Sequence, residues 1–68
     1  MKKKVNELRQ GDLLLTLIGW QTVKKTQYWK DNVGVDVHTV EGDIIGYTSE
    51  SIEVDCKINA VREYTENT

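Results

Sequence analysis

From Ile52 to Ile58 the chain alternates without a break. Ile52, Val54, Cys56 and Ile58 fall on one parity, and Glu53, Asp55 and Lys57 on the other. An extended strand points successive side chains to opposite faces, so this pattern gathers its apolar members on one surface only if the backbone is β. Val33 to Val40 repeats the pattern, with Val33, Val35, Val37 and Thr39 set against Gly34, Asp36 and His38. Composition agrees: Val, Ile and Thr supply 20 of the 68 residues, Ala60 is the sole alanine, and Pro and Phe are absent. β-branched side chains fit a pleated, half-buried surface and lose rotamer freedom in a helix. The chain reads as all-β.

Turn chemistry divides the rest. Lys2 to Gln10 is a short N-terminal lead-in whose apolar pair, Val5 and Leu8, suits one helical turn or an extended segment. Gln10-Gly11-Asp12 is a turn signal. Leu13 to Ile18 is apolar on both faces, which predicts a central or covered first strand. Gly19 permits a bend or bulge. Trp20 to Lys30 is a long strand with Trp20, Thr22, Lys24, Thr26, Tyr28 and Lys30 on one face, and neither face is uniformly apolar. A twist or break near Lys24-Lys25 is therefore expected. Asp31 and Asn32 tolerate left-handed backbone and form the next turn. Glu41-Gly42-Asp43 fits a tight hairpin returning through Ile44 to Thr48, and Ser49-Glu50 turns again before the alternating strand. Asn59 to Tyr64 suits a half-turn of helix or a short edge strand, and the polar end, Tyr64 to Thr68, is expected to fray. Gly11-Asp12-Leu13-Leu14 and Gly42-Asp43-Ile44-Ile45 echo one another as tight turns feeding buried strands, without amounting to a repeat.

Five short strands at intervals of about ten residues predict one domain, residues 1–68, built as a small antiparallel meander closed into a barrel. At the level of strand count and spacing this resembles the SH3-like and Sm-like barrels, and such a likeness confers no function.

The counts exclude several classes. A lone cysteine, Cys56, forms no disulfide within the chain, and one Cys with one His cannot complete a four-ligand zinc site. Lys2, Lys3 and Lys4 are not followed by the apolar segment of a signal peptide. The longest apolar run, Leu13 to Ile18, is interrupted by Thr16 and far too short to span a bilayer. A soluble, cytoplasmic protein that does not engage membranes is the resulting expectation. Net charge is −2, but residues 1–30 carry +5 and residues 31–68 carry −7. Such asymmetry either marks a charged partner or interleaves once the strands are paired.

For function, the sequence offers few reactive groups. His38 is the only imidazole, and Ser49 and Ser51 sit where serines serve local backbone bonding. Without a water-excluding cleft and oxyanion donors, no enzyme and no cofactor are expected. Cys56 shares the Ile52/Val54/Ile58 face and is expected in the core. Asp36, His38, Glu41 and Asp43 crowd one hairpin, which leaves a metal or small-molecule sensor as a minor reading. The most suggestive group is Trp20, Lys24, Tyr28 and Lys30 with Lys25 and Trp29 behind. Aromatics among cations serve as interface anchors, as stacking platforms for single-stranded nucleic acid, or as structural lids covered by lysine stems. A small chain with no covalent or metal staple gains burial by oligomerising. The favoured reading is a self-associating interaction or assembly module anchored by Trp20, Tyr28 and Trp29 and rimmed by Lys24, Lys25 and Lys30. The runner-up is a single-stranded nucleic-acid binder using the same residues.

Overall fold

A computed structural model of the chain describes residues 1–58, and within them the fold is all-β. Six strands form one antiparallel sheet: β1 (Lys2–Lys4), β2 (Leu13–Thr16), β3 (Gly19–Tyr28), β4 (Val35–Thr39), β5 (Ile44–Tyr47) and β6 (Glu53–Lys57). Their spatial order is β1-β6-β2-β3-β4-β5. Strands β2 to β5 form a meander, and β6 returns to lie between β1 and β2. The sheet is open and not the closed five-stranded barrel expected, because β1 and β5 end it on opposite sides without pairing to one another. The N-terminal lead-in supplies the sixth strand: Lys3 stands opposite Val54, flanked by the pairs Lys2–Asp55 and Lys4–Glu53. The expectations for Asn59–Thr68 lie outside the described residues.

Except for the β2–β3 hairpin, which turns at Leu17-Ile18 inside the expected first strand, the turns form where the sequence places them. Gly11, Gly19 and Gly42 adopt φ of 92°, 110° and 101°, and Asn32 is left-handed at 59°. After β1, Val5–Glu7 makes one 3₁₀ turn. Its three-residue repeat brings Val5 and Leu8 to the same side, and both are buried.

The core is small and mainly aliphatic: Val5, Leu8, Leu14, Val23, Val35, Val37 and Val54, joined by Cys56 and flanked by Ile45 and Tyr47. Cys56 is 1% exposed, as its place on the alternating strand required. Three polar side chains are also deeply buried, Asp12, Gln21 and Thr39. Asp12 accepts from the Lys3 ammonium at 3.1 Å and from the Arg9 backbone N–H at 2.9 Å. Gln21, 4% exposed, donates its amide to the Asp43 carboxylate and ties β3 to the β4–β5 turn.

Strand β3 contains the feature that governs the surface. Its register with β4 runs from Val23–Thr39 directly to Lys25–His38, so Lys24 is an extra residue. A β-bulge of this kind leaves one residue unpaired and bends the strand. The break expected near Lys24-Lys25 is thus real, and it reverses which parity of β3 faces the core.

Candidate functional site

Residues directly opposite one another in a sheet share a face. Before the bulge, Trp20 lies opposite Leu15 on the outer face, while Gln21 lies opposite Leu14 on the core face. After it, Lys25 and Gln27 oppose His38 and Asp36, and Thr26 and Tyr28 oppose the buried Val37 and Val35. Tyr28 therefore stands on the core side of the sheet and Trp20 on the outer side. The single face expected for Trp20, Lys24, Tyr28 and Lys30 is split, because one inserted residue inverts a period of two.

Each proposed anchor has its own surroundings. Trp20 is 44% exposed, and the Lys57 ammonium sits 4.3 Å from its ring centroid. Tyr28 is 48% exposed and lies near Glu50. Partial desolvation first, then the Glu50 carboxylate, raise its phenol above the usual value of 10.0. Trp29 is half-buried. Its indole N–H donates to Asp36 Oδ1 at 2.7 Å, and its ring occupies the space beside Gly34 and Gly46. Lys24, Lys25 and Lys30 are exposed, at the bulge, on the outer face and in the β3–β4 turn respectively. The structure does not bring these six residues into one patch.

The acidic residues of the His38 hairpin are also committed internally, whereas His38 Nε2 is buried without a hydrogen-bond partner. Asp36 is taken by Trp29, Asp43 by Gln21, and Glu41 by the Thr22 backbone N–H at 2.8 Å and hydroxyl at 3.1 Å. The Thr22 backbone hydrogen bond chiefly holds the Glu41 carboxyl below its usual 4.5. No three His, Cys, Asp or Glu side chains gather as a metal-holding group among the described residues.

A different surface stands out. Strands β2 and β3 pair down to Thr16–Gly19, leaving Leu17 and Ile18 as the two residues of the hairpin tip. The Thr16 hydroxyl donates to the Gly19 carbonyl at 2.7 Å and accepts from the Ile18 N–H at 3.2 Å. Gly19 takes the positive φ that closes the loop, so two bulky aliphatics are tolerated at a position usually given to Asn or Gly. Leu17 is 107% exposed and Ile18 74%. The covered strand expected over Leu13 to Ile18 ends instead at Thr16, and Leu15 is exposed together with Leu17 and Ile18.

Across from the tip runs β5, whose Ile44 is 61% exposed. Between them lies a groove of about 510 Å³, apolar along the hairpin tip and along Ile44, Ile45 and Tyr47. Gln21 and Asp43 form its polar part. The Gln21 carbonyl oxygen is buried there without a hydrogen-bond partner. Burial raises the Tyr47 phenol above 10.0. Sequence reasoning missed this surface because a largely aliphatic run, Leu13 to Ile18, reads as a buried strand. The available signal was Gly19, three residues after Thr16.

Among the described residues no helix is long and apolar enough to cross a membrane. Comparison with protein-family models, with curated proteins and with solved structures finds no match.

Proposed function

We propose that this chain is a non-enzymatic interaction and assembly module that associates with itself through the aliphatic groove between the β2–β3 hairpin tip and β5. One observation carries the reading: Leu15, Leu17, Ile18 and Ile44 are all exposed and line the same groove. Isolated exposed aliphatics are ordinary, but a contiguous set marks an interaction surface. Trp20 lies opposite Leu15 on the outer face, outside the groove lining and beneath the Lys57 ammonium. Trp29 acts as a structural side chain in this reading, Tyr28 lies outside the groove, and Lys24, Lys25 and Lys30 serve as solubilising charges. In this reading strands β2 to β6 correspond to the five strands of the expected SH3-like or Sm-like module, left open, with β1 as a sixth. A free, buried Cys56 suits a reducing compartment such as the cytoplasm.

Nucleic-acid binding is the weaker reading, because the bulge at Lys24 removes the continuous aromatic row that stacking needs. Light scattering over a range of concentrations, at low and high salt, tests the assembly reading. The expected result is a mass that rises above the 7.8 kDa chain and is indifferent to salt. A monomer throughout would remove it.

A further inference from the structure

The two terminal strands of the sheet are treated differently. β1 is three residues long and wholly Lys2-Lys3-Lys4, and its Lys4 N–H is already taken by Glu7 Oε1 at 2.8 Å. Short length, lysines and capped donors are the usual means of blocking an edge from pairing. β5, Ile44-Ile45-Gly46-Tyr47, carries no charge.

The register also fixes which β5 backbone groups face outward. Thr39 N–H donates to the Asp43 carbonyl at 2.9 Å, so Thr39–Asp43 is a bonded pair. Bonded and non-bonded pairs alternate along an antiparallel ladder. Val37–Ile45 and Val35–Tyr47 are then the bonded pairs, while His38–Ile44 and Asp36–Gly46 are not. The N–H and C=O groups of Ile44 and Gly46 point away from β4, toward the open side.

Resting on the assembly reading above, we infer that the occupant of this edge is a second copy of the same strand, paired antiparallel about a two-fold axis at Ile45. In that register Ile44 of each copy bonds Gly46 of the other, which satisfies all four outward donors and all four outward acceptors. Asp43 of one copy stands opposite Tyr47 of the second in a non-bonded pair, where side chains approach most closely. A phenol donor thus meets a carboxylate acceptor. In this register Glu41 faces Ser49 and Glu50 faces Val40, so no acidic side chain opposes another, and both are held within their own chain, Glu41 by Thr22 and Glu50 by Asn6.

The area is sufficient. Leu15, Leu17, Ile18 and Ile44 together expose on the order of 500 Å², comparable to the largest apolar patch on an ordinary monomer. Full coverage of these residues in both copies corresponds to about 1,000 Å², the lower bound for a specific interface. Pairing at β5 places each copy's groove beside the seam, because Ile44, Ile45 and Tyr47 of that strand line it.

The test combines solution mass with amide exchange followed by NMR. The expected species has twice the chain mass, with the Ile44 and Gly46 amides protected at least about tenfold more when concentrated than when dilute. Ile44→Lys should weaken the dimer at least about tenfold, equivalent to 1.4 kcal/mol. Val33→Lys, a similarly exposed aliphatic in the β3–β4 turn, should leave it unchanged. A dimer insensitive to Ile44→Lys with unprotected Ile44 and Gly46 amides would overturn edge pairing yet leave self-association standing. A mass that climbs past the dimer would overturn the two-fold closure. A monomer at every concentration would overturn both readings and leave the groove to a partner of different chemistry.

Discussion

The Trp29 indole N–H donates to Asp36 at 2.7 Å while its six-membered ring fills the place where a side chain on Gly34 would begin. A Cβ built on Gly34 would lie 2.1 Å from Trp29 Cε3, whereas one on Gly46 would lie 3.2 Å from Cζ2. Gly34→Ala should therefore displace the ring and cost about 2–3 kcal/mol, within the range for overpacking. Gly46→Ala should cost distinctly less. Urea midpoints of the two variants, measured side by side, check the order. Equal midpoints would show that the indole does not hold this position.

Asp12 and Lys3 form an ion pair in which the carboxylate is fully buried and the lysine side chain 22% exposed. Removing one partner leaves the other charge uncompensated. Asp12→Ala is expected to destabilise by about 2–4 kcal/mol, and the exposed pair Lys2–Asp55 by less than about 1 kcal/mol when broken. Denaturation of Asp12→Ala beside Asp55→Ala measures the contrast.

Cys56 should resist a thiol reagent in the native state and react fully in denaturant, since its reactivity requires exposure. Rapid native labelling would place the thiol outside the core.

Glu41 and Asp31 supply a pH dependence. Hydrogen bonds from Thr22 to Glu41, and from Gly34 and Val33 to Asp31, lower both carboxyls below their usual 4.5 and 3.8. A carboxyl depressed in the folded state contributes stability above its unfolded value and loses it as pH falls through the folded value. Stability should therefore be level above about pH 5 and decline below pH 4.5. Glu41→Gln should flatten the upper part of that decline, as followed by urea midpoints from pH 7 to pH 3. An unchanged profile would show that the Thr22 bonds do not persist in solution.

Lys24→Glu and Lys25→Glu should leave self-association intact, because neither residue borders the groove. A labelled single-stranded oligonucleotide titrated at low salt should show no binding. Salt-sensitive binding abolished by Trp20→Ala and Lys24→Ala would restore the nucleic-acid reading.

Much of this fold is legible in the sequence where one strong period acts alone. The alternation in β4 and β6, the glycine and Asp-Asn turns, the Val5–Leu8 pair and the burial of Cys56 all follow from local rules. The disruption near Lys24 was visible as a strand with no uniformly apolar face. Its consequence was not, because the parity after a bulge depends on the register with β4, a property of two strands and not of one. Lys2–Lys4 shows no strand signature, since its extended form comes from pairing with β6, some 50 residues away in sequence. Asp12 reads as a turn residue because its burial depends on Lys3, supplied by that distant pairing. The candidate surface was hidden for the opposite reason: Leu17 and Ile18 look like core, and only the two-residue loop places them outside.

The placement of β6 between β1 and β2 also orders the assembly of the chain itself. Strands β2 to β5 meet their neighbours through short hairpins and can zip up locally, but Leu14 gains its Cys56 partner only after a loop of some forty residues has closed. Closing such a loop is entropically slow compared with forming a hairpin. Until it closes, β2 is itself a bare apolar edge. A substitution that delays β6 should therefore lengthen the time during which unfinished chains can meet one another the wrong way, even where the finished fold tolerates it.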